Sequence, residues 1–304
     1  MQPGRSCPLH YRYAPSSLAR TADFRASTLY VVGGLYGNLP ALECVLEMAA
    51  RESATLMFNG DFNWFNIDDA SYRAINSEVL RHRALRGNVE TELATDNDAA
   101  GCGCAYPDEV SDAEVARSNN IMDTLRTNAR KHPPLRQQLA ALPMNRVAEV
   151  AGTRVAIVHG DLQSLAGWGM AESNLHTADS KNILRKQIVK SQCAVVASSH
   201  TCLPVALRMR HHLIFNNGSA GMPNFKGTQC GVITRIAAQP SPHPALYGIH
   251  IGNVHVDALA VHYDHQRWEQ EFLANWPQRS AAYQSYYARI MHGPDYSLDA
   301  ANRL

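Results

Sequence analysis

From residue 28 to residue 90 the chain alternates between short apolar runs and helical stripes. The β-branched run Leu29 to Val32 meets a glycine-rich bend (Gly33, Gly34, Gly37), and Asn38 with Pro40 close behind marks a helix start. In that helix Leu42, Val45, Leu46 and Ala49 fall at i, i+3, i+4 and i+7, the spacing of one buried stripe. The pattern predicts a strand over 29–32, a helix over 39–51, a strand over 54–59 and a helix near 67–83.

Residues 91–142 change character: a polar, Gly- and Asp-rich loop carrying "GCGC" passes into helical sequence closed by Pro133-Pro134. This reads as a helical insertion or cap. Strand patterns resume at "VAEV" and "RVAIV", a helix follows at about 175–191, and "CAVVASSHT" is a buried strand ending in a polar turn. From Pro204 to Asp264 short β-like runs dominate, and the tail, residues 265–304, is helical and aromatic. Such an order predicts an α/β fold, a sandwich of two sheets with helices outside, in a single domain spanning 1–304.

Composition narrows the class of function. With 28 basic and 27 acidic side chains the formal charge is +1, so the electrostatic footprint of a non-specific nucleic-acid binder is absent. No apolar stretch has signal-peptide or membrane-spanning length, which points to the cytoplasm and away from a membrane. Seven cysteines, an odd and scattered set, argue against a disulfide framework.

Several predicted strands end in a side chain that can bind metal: Asp61 after "LMFNG", Asn88 after "LRG", His159 after "VAIV", His200 after "CAVVASS". One such residue is ordinarily a turn former or helix cap. Four at successive strand ends, three of them beside a glycine (Gly60, Gly87, Gly160), would meet at one rim, where oxygen and nitrogen ligands converge on a divalent ion.

In order and spacing, "YGN", "NGD", "RGNVE", "VHGD", "SHT" and "NNGSAGMPNFKG" resemble the motifs of the calcineurin-like metallophosphoesterases. The resemblance covers about residues 28 to 265. It implies a four-layer αββα sandwich with a two-metal site on its rim that hydrolyses phosphate esters. Carried over by position, Asp61 is the shared bridging aspartate, Asn88 the third-motif asparagine, and His159 and His200 complete one metal site. The other site departs from the family: its aspartate, histidine and closing histidine fall on Gly34, Tyr36 and Cys202, and the histidine that protonates the leaving group falls on Val89. Gly218, Ser219 and Gly221 stand where the family has a loop near the phosphate, and are expected to bind substrate.

The expectation is therefore a divergent phosphoesterase holding one divalent ion per chain (Mn, Fe or Zn) and acting on a phosphorylated small molecule. Glu90 and Tyr36 are the candidate proton donors, and Asn63, Asp161 and Glu90 the candidates for orienting the histidines. The alternative is a non-catalytic relative whose rim binds a phosphorylated ligand or protein. Tyr36 and Cys202 either rebuild the missing site, as phenolate and thiolate on iron, or simply fill it. Cys102 and Cys104 make a weak C-x-C zinc or redox signal. The aromatic tail leaves room for a second subunit.

Overall fold

The computed structural model describes residues 2–304. Its strands are β1 (Phe24–Ala26), β2 (Thr28–Val32), β3 (Thr55–Asn59), β4 (Arg83–Leu85), β5 (Asn145–Val150), β6 (Thr153–Val158), β7 (Val195–Ser198), β8 (Pro204–Met209), β9 (His212–Asn217), β10 (Gly231–Ala237), β11 (Ala245–Ile251), β12 (Val254–Val261) and β13 (Asn302–Arg303). The helices are α1 (Leu39–Glu52), α2 (Asp69–Val79), α3 (Asn88–Ala94), α4 (Asp112–Ala129), α5 (Pro133–Ala141), α6 (Ala178–Ser191), α7 (His265–Asn275), α8 (Ala281–His292) and α9 (Leu298–Ala301).

One sheet has the order β11-β12-β10-β2-β3-β4 and the other β1-β5-β6-β7-β9-β8-β13. Period-two alternation along the strands builds the layers. Leu29 and Val31 of β2 face Val155 and Ile157 of β6 in the core between the sheets, while Tyr30 and Val32 point outward beneath α1, α2 and α7. On the far side Ala156 and Val158 pack with Leu184 and Ile188 of α6. Helix, sheet, sheet, helix is the four-layer order expected from the sequence.

The α1 stripe buries Ala41, Leu42, Val45 and Ala49, with Leu46 only partly covered. Asn38 caps this helix by accepting from the Ala41 N–H at 2.9 Å, and Ser53 closes it in the left-handed conformation.

Three expectations are corrected. The helix near 67–83 stops at Val79, because Arg83–Leu85 pairs in parallel with β3 as an edge strand. Pro133 and Pro134 open α5 instead of closing the helix before it, a place where a missing N–H costs nothing. The tail is not helical to its end: β13 pairs in parallel with β8 and extends the larger sheet.

Candidate metal centre

Parallel strands bring the four ligand-type side chains to one rim. Asp61 lies just past β3, Asn88 opens α3 just past β4, His159 directly follows β6, and His200 follows β7. Asp61 and Asn88 therefore come from one sheet and the histidines from the other, at the carboxyl ends of parallel strands. The sheets approach closely here because Gly60 lacks a side chain: a Cβ would stand 2.6 Å from the Gly87 nitrogen and 2.7 Å from His159 Nδ1.

Backbone carbonyls set both imidazoles. His159 Nδ1 is 2.9 Å from the Asn59 carbonyl oxygen, and His200 Nε2 is 3.1 Å from that of Cys104. A carbonyl only accepts, so these outer nitrogens carry the hydrogens, and in the neutral rings the inner nitrogens keep their lone pairs. Those inner atoms, His159 Nε2 and His200 Nδ1, face one another at 3.1 Å. Asp61 Oδ2 is 3.2 Å and Asn88 Oδ1 3.1 Å from His159 Nε2. Asn88 is turned this way because its Nδ2 donates to the Cys102 carbonyl at 2.9 Å. Asp61, His159 and His200, all buried, could hold a metal ion, with ligand atoms within 4.8 Å of one another. Four acceptors converging without a donor suit a divalent cation of the Mn, Fe or Zn type, so the donor set fits the expected ion.

Titration behaviour follows from this crowding. Burial opposes the Asp61 charge, but His159, His200 and the Val89 N–H outweigh it and hold the carboxyl below its ordinary range. Burial likewise pulls His159 down, yet Asp61 and the Asn59 carbonyl leave it raised. His200 is pushed down to about 4, by burial and then by His159.

Tyr36 is bonded within the pocket. Its ring lies across Gly34, where a Cβ would stand 2.9 Å from Tyr36 Cζ, and its hydroxyl shares a 2.8 Å hydrogen bond with Cys202 Sγ. Burial, then Cys202 and Asp61, push the phenol well above its ordinary value. Burial also raises the Cys202 thiol. Bonded to one another, the two side chains occupy the space beside Asp61. Tyr36, Asp61 and Cys202 all hold positive φ values (55°, 54° and 61°), a concentration of strained backbone around the site.

Other expected roles move. Glu90 is fully buried and turned away from the open side. Its carboxylate accepts from the backbone N–H groups of Asp61 (2.7 Å), Gly87 (3.0 Å) and Asn63 (3.2 Å). Burial and then Asp61 push its pKa up to about 7. It fixes the Asp61 main chain and does not line the cavity above Asp61. Asn63 bonds to Asn76 and Glu90, and Asp161 accepts from Gln163, Ser164 and Gly169 in its own loop, so neither orients a histidine. In the Gly218–Gly221 loop the four amides donate to Asn216, Asn224, Gly33 and Gly34. The Ser219 hydroxyl donates to the Met222 carbonyl, so the loop is buried scaffolding with no free donor for phosphate.

A cavity of about 320 Å³ opens above Asp61, Asn88 and His200. Its walls include Trp64, Tyr106, Trp168, Tyr286 and Arg289, and Tyr36 and Cys202 also line it. Sequence reasoning missed Trp168 and Arg289: one rides on the loop after β6, the other on α8, and no local motif marks either. Arg289 is anchored by bonds to the carbonyls of Cys202 (2.6 Å) and Pro223 (3.2 Å). The "GCGC" loop acts through its main chain, since the Cys102 and Cys104 carbonyls hold Asn88 and His200. A buried ion pair braces that loop from behind. Arg126 Nη2 donates to Glu92 Oε2 at 2.7 Å and to the Gly101 carbonyl at 2.9 Å, and Tyr11 donates to Glu92 at 2.6 Å.

No protein-family model and no curated protein matches the chain. Solved structures do. A hypothetical protein from Pyrococcus horikoshii OT3 superposes with a TM-score of 0.60 at 15% identity, over 90% of this chain and 100% of its own. A metallophosphoesterase from Sphaerobacter thermophilus gives a TM-score of 0.59 at 16% identity, over 88% of this chain and 100% of its own. The chain has the metallophosphoesterase fold, in agreement with the resemblance read from its motifs.

Proposed function

We propose that this chain, built on the metallophosphoesterase fold, is a phosphoesterase that works with one divalent ion held by Asp61, Asn88, His159 and His200. One observation carries the reading: both imidazoles spend their outer N–H on backbone carbonyls, and their inner nitrogens meet at 3.1 Å where His159 also faces Asp61 and Asn88. A divalent ion bound there would supply a Lewis acid for a phosphoryl oxygen and for water. The chain's own residues supply the rest. Glu90 and the Val89 N–H fix Asp61, the carbonyls of Asn59 and Cys104 keep the histidines in the ligating tautomer, and Arg289 offers the cavity a guanidinium for phosphoryl oxygens.

A second reading, a rim that binds a phosphorylated ligand without cleaving it, draws on one feature. Neither expected proton donor is free, since Glu90 holds backbone amides and Tyr36 holds Cys202.

The two readings separate in one experiment. Metal content is measured as equivalents per chain, and turnover of p-nitrophenyl phosphate and bis(p-nitrophenyl) phosphate is followed with added Mn²⁺, beside Asp61→Asn. About one equivalent and metal-dependent turnover lost in Asp61→Asn support the enzyme. Metal binding with no turnover of either ester leaves the binding reading.

A further inference from the structure

The cavity walls point beyond the reacting phosphoryl group to what is attached to it. Trp168 and Tyr106 stand 5.8 Å apart between ring centroids, and Trp168 lies 5.5 Å from the His200 ring. Both are half-buried and locked by their polar tips: the Trp168 indole N–H donates to the Cys104 carbonyl at 2.9 Å, and the Tyr106 hydroxyl bonds Ser118 at 3.0 Å. The Cys104 carbonyl thus accepts from His200 and Trp168 together, fixing an aromatic face at a set distance from the candidate metal. Such preorganised faces suit a planar ring.

The second observation concerns the proton. Among the groups lining the cavity, Tyr36 is bonded to Cys202, and Glu114 lies exposed at the mouth, hydrogen-bonded to Ser111. Position 89 is a valine. Tyr106 is bonded to Ser118, and Tyr286 is a phenol that burial pushes well above its ordinary value, so these groups give a departing alkoxide no strong proton donor. An alkyl alcohol, close to water with a pKa of about 16, needs one, whereas a phenol at about 10 departs as the anion. The volume, about 320 Å³, and one lining arginine match a single phosphoryl group on a small ring.

We propose that the site takes aryl phosphoesters, with the leaving ring against Trp168 and Tyr106 and the phosphoryl group between the candidate metal and Arg289. This rests on the phosphoesterase reading for turnover, but not for binding.

The test uses phenylphosphonate and methylphosphonate, which share charge and are not hydrolysed, titrated into Mn²⁺-loaded protein by calorimetry. Phenylphosphonate should bind about tenfold more tightly. In Trp168→Leu the ratio should fall to about two while the methylphosphonate Kd holds, and in Trp168→Phe, which keeps a ring, most of the preference should remain. A ratio near one in the wild type, no binding of either phosphonate, or a preference unchanged in Trp168→Leu overturns the proposal. So does adenosine 5′-monophosphate binding more tightly than phenylphosphonate, which would assign the wall to a nucleoside. If the ring preference holds but no ester is hydrolysed, the phosphoesterase reading fails and the ring site stands. If alkyl and aryl esters are hydrolysed alike and the phosphonates bind alike, the ring site fails and the phosphoesterase stands.

Discussion

Two of the buried clusters of ionisable groups in this molecule are built on opposite principles. In the smaller sheet Arg235, fully buried, donates to Glu52, to Asp257 at 2.9 Å and to the carbonyls of Gln239 and Pro240. Tyr30 adds a bond to Glu52 at 2.6 Å. Donors meet acceptors there, and the cluster is closed. At the rim, Asp61, Asn88, His159 and His200 present acceptors to one another, and the donors they own are spent outward on carbonyls. Burial alone therefore does not mark a site. What marks one is convergence of the same kind of hydrogen-bonding partner, which the chain cannot satisfy by itself.

The sharpest way to break this comparison is to empty each cluster in turn. Arg235→Leu leaves Glu52 and Asp257 buried without a cation and should lower stability by about 3–5 kcal/mol in urea titrations, with metal binding intact in the folded fraction. His159→Ala should do the reverse, costing more than about 100-fold in Mn²⁺ affinity by calorimetry while sparing most of the metal-free stability. Equal stability losses in the two variants would erase the distinction.

A smaller effect is expected one layer back. Glu92→Gln weakens the brace behind the "GCGC" loop, so Mn²⁺ affinity should fall about tenfold although residue 92 touches no ligand atom. An unchanged affinity would show that the loop holds its carbonyls without Arg126. The smallest effect concerns acid. Burial opposes the Glu52 charge, but Arg235 and Tyr30 outweigh it and depress its pKa below the ordinary 4.5. A depressed carboxyl contributes stability above its unfolded value and loses it as pH falls through the folded one. The stability gap between wild type and Glu52→Gln should thus be full at neutral pH and shrink below about pH 4.5, measured by urea midpoints.

Much of the frame was legible because it is local. Apolar runs ending in a polar residue marked Asp61, Asn88, His159 and His200 as strand-end candidates, and the resemblance of the motif set named them as ligands. The fold class followed from the order of apolar runs. Orientation was another matter. Residue order puts Glu90 beside Asn88, but the Asp61 N–H draws its carboxylate inward. The glycines of 218–221 suggest open amides, yet each amide already has an acceptor two or more residues away or on the β2 turn. Trp168 and Arg289 reach the cavity through packing of distant segments, which no spacing rule encodes. Cys102 and Cys104 drew notice for their sulfur, while the bonds that matter at Asn88 and His200 are made by their carbonyls.

The ring of Tyr36 lying over Gly34 bears on how such a protein can be re-engineered. Gly34→Asp alone would press against the ring and force a side chain into a backbone with φ of 64°. Tyr36→His alone would remove the hydroxyl bonded to the Cys202 thiol and open a hole beside Phe65, 6.1 Å from the Tyr36 ring. A laboratory route to a second ion therefore has no profitable first step, and a library built for that purpose must vary positions 34, 36 and 202 at once.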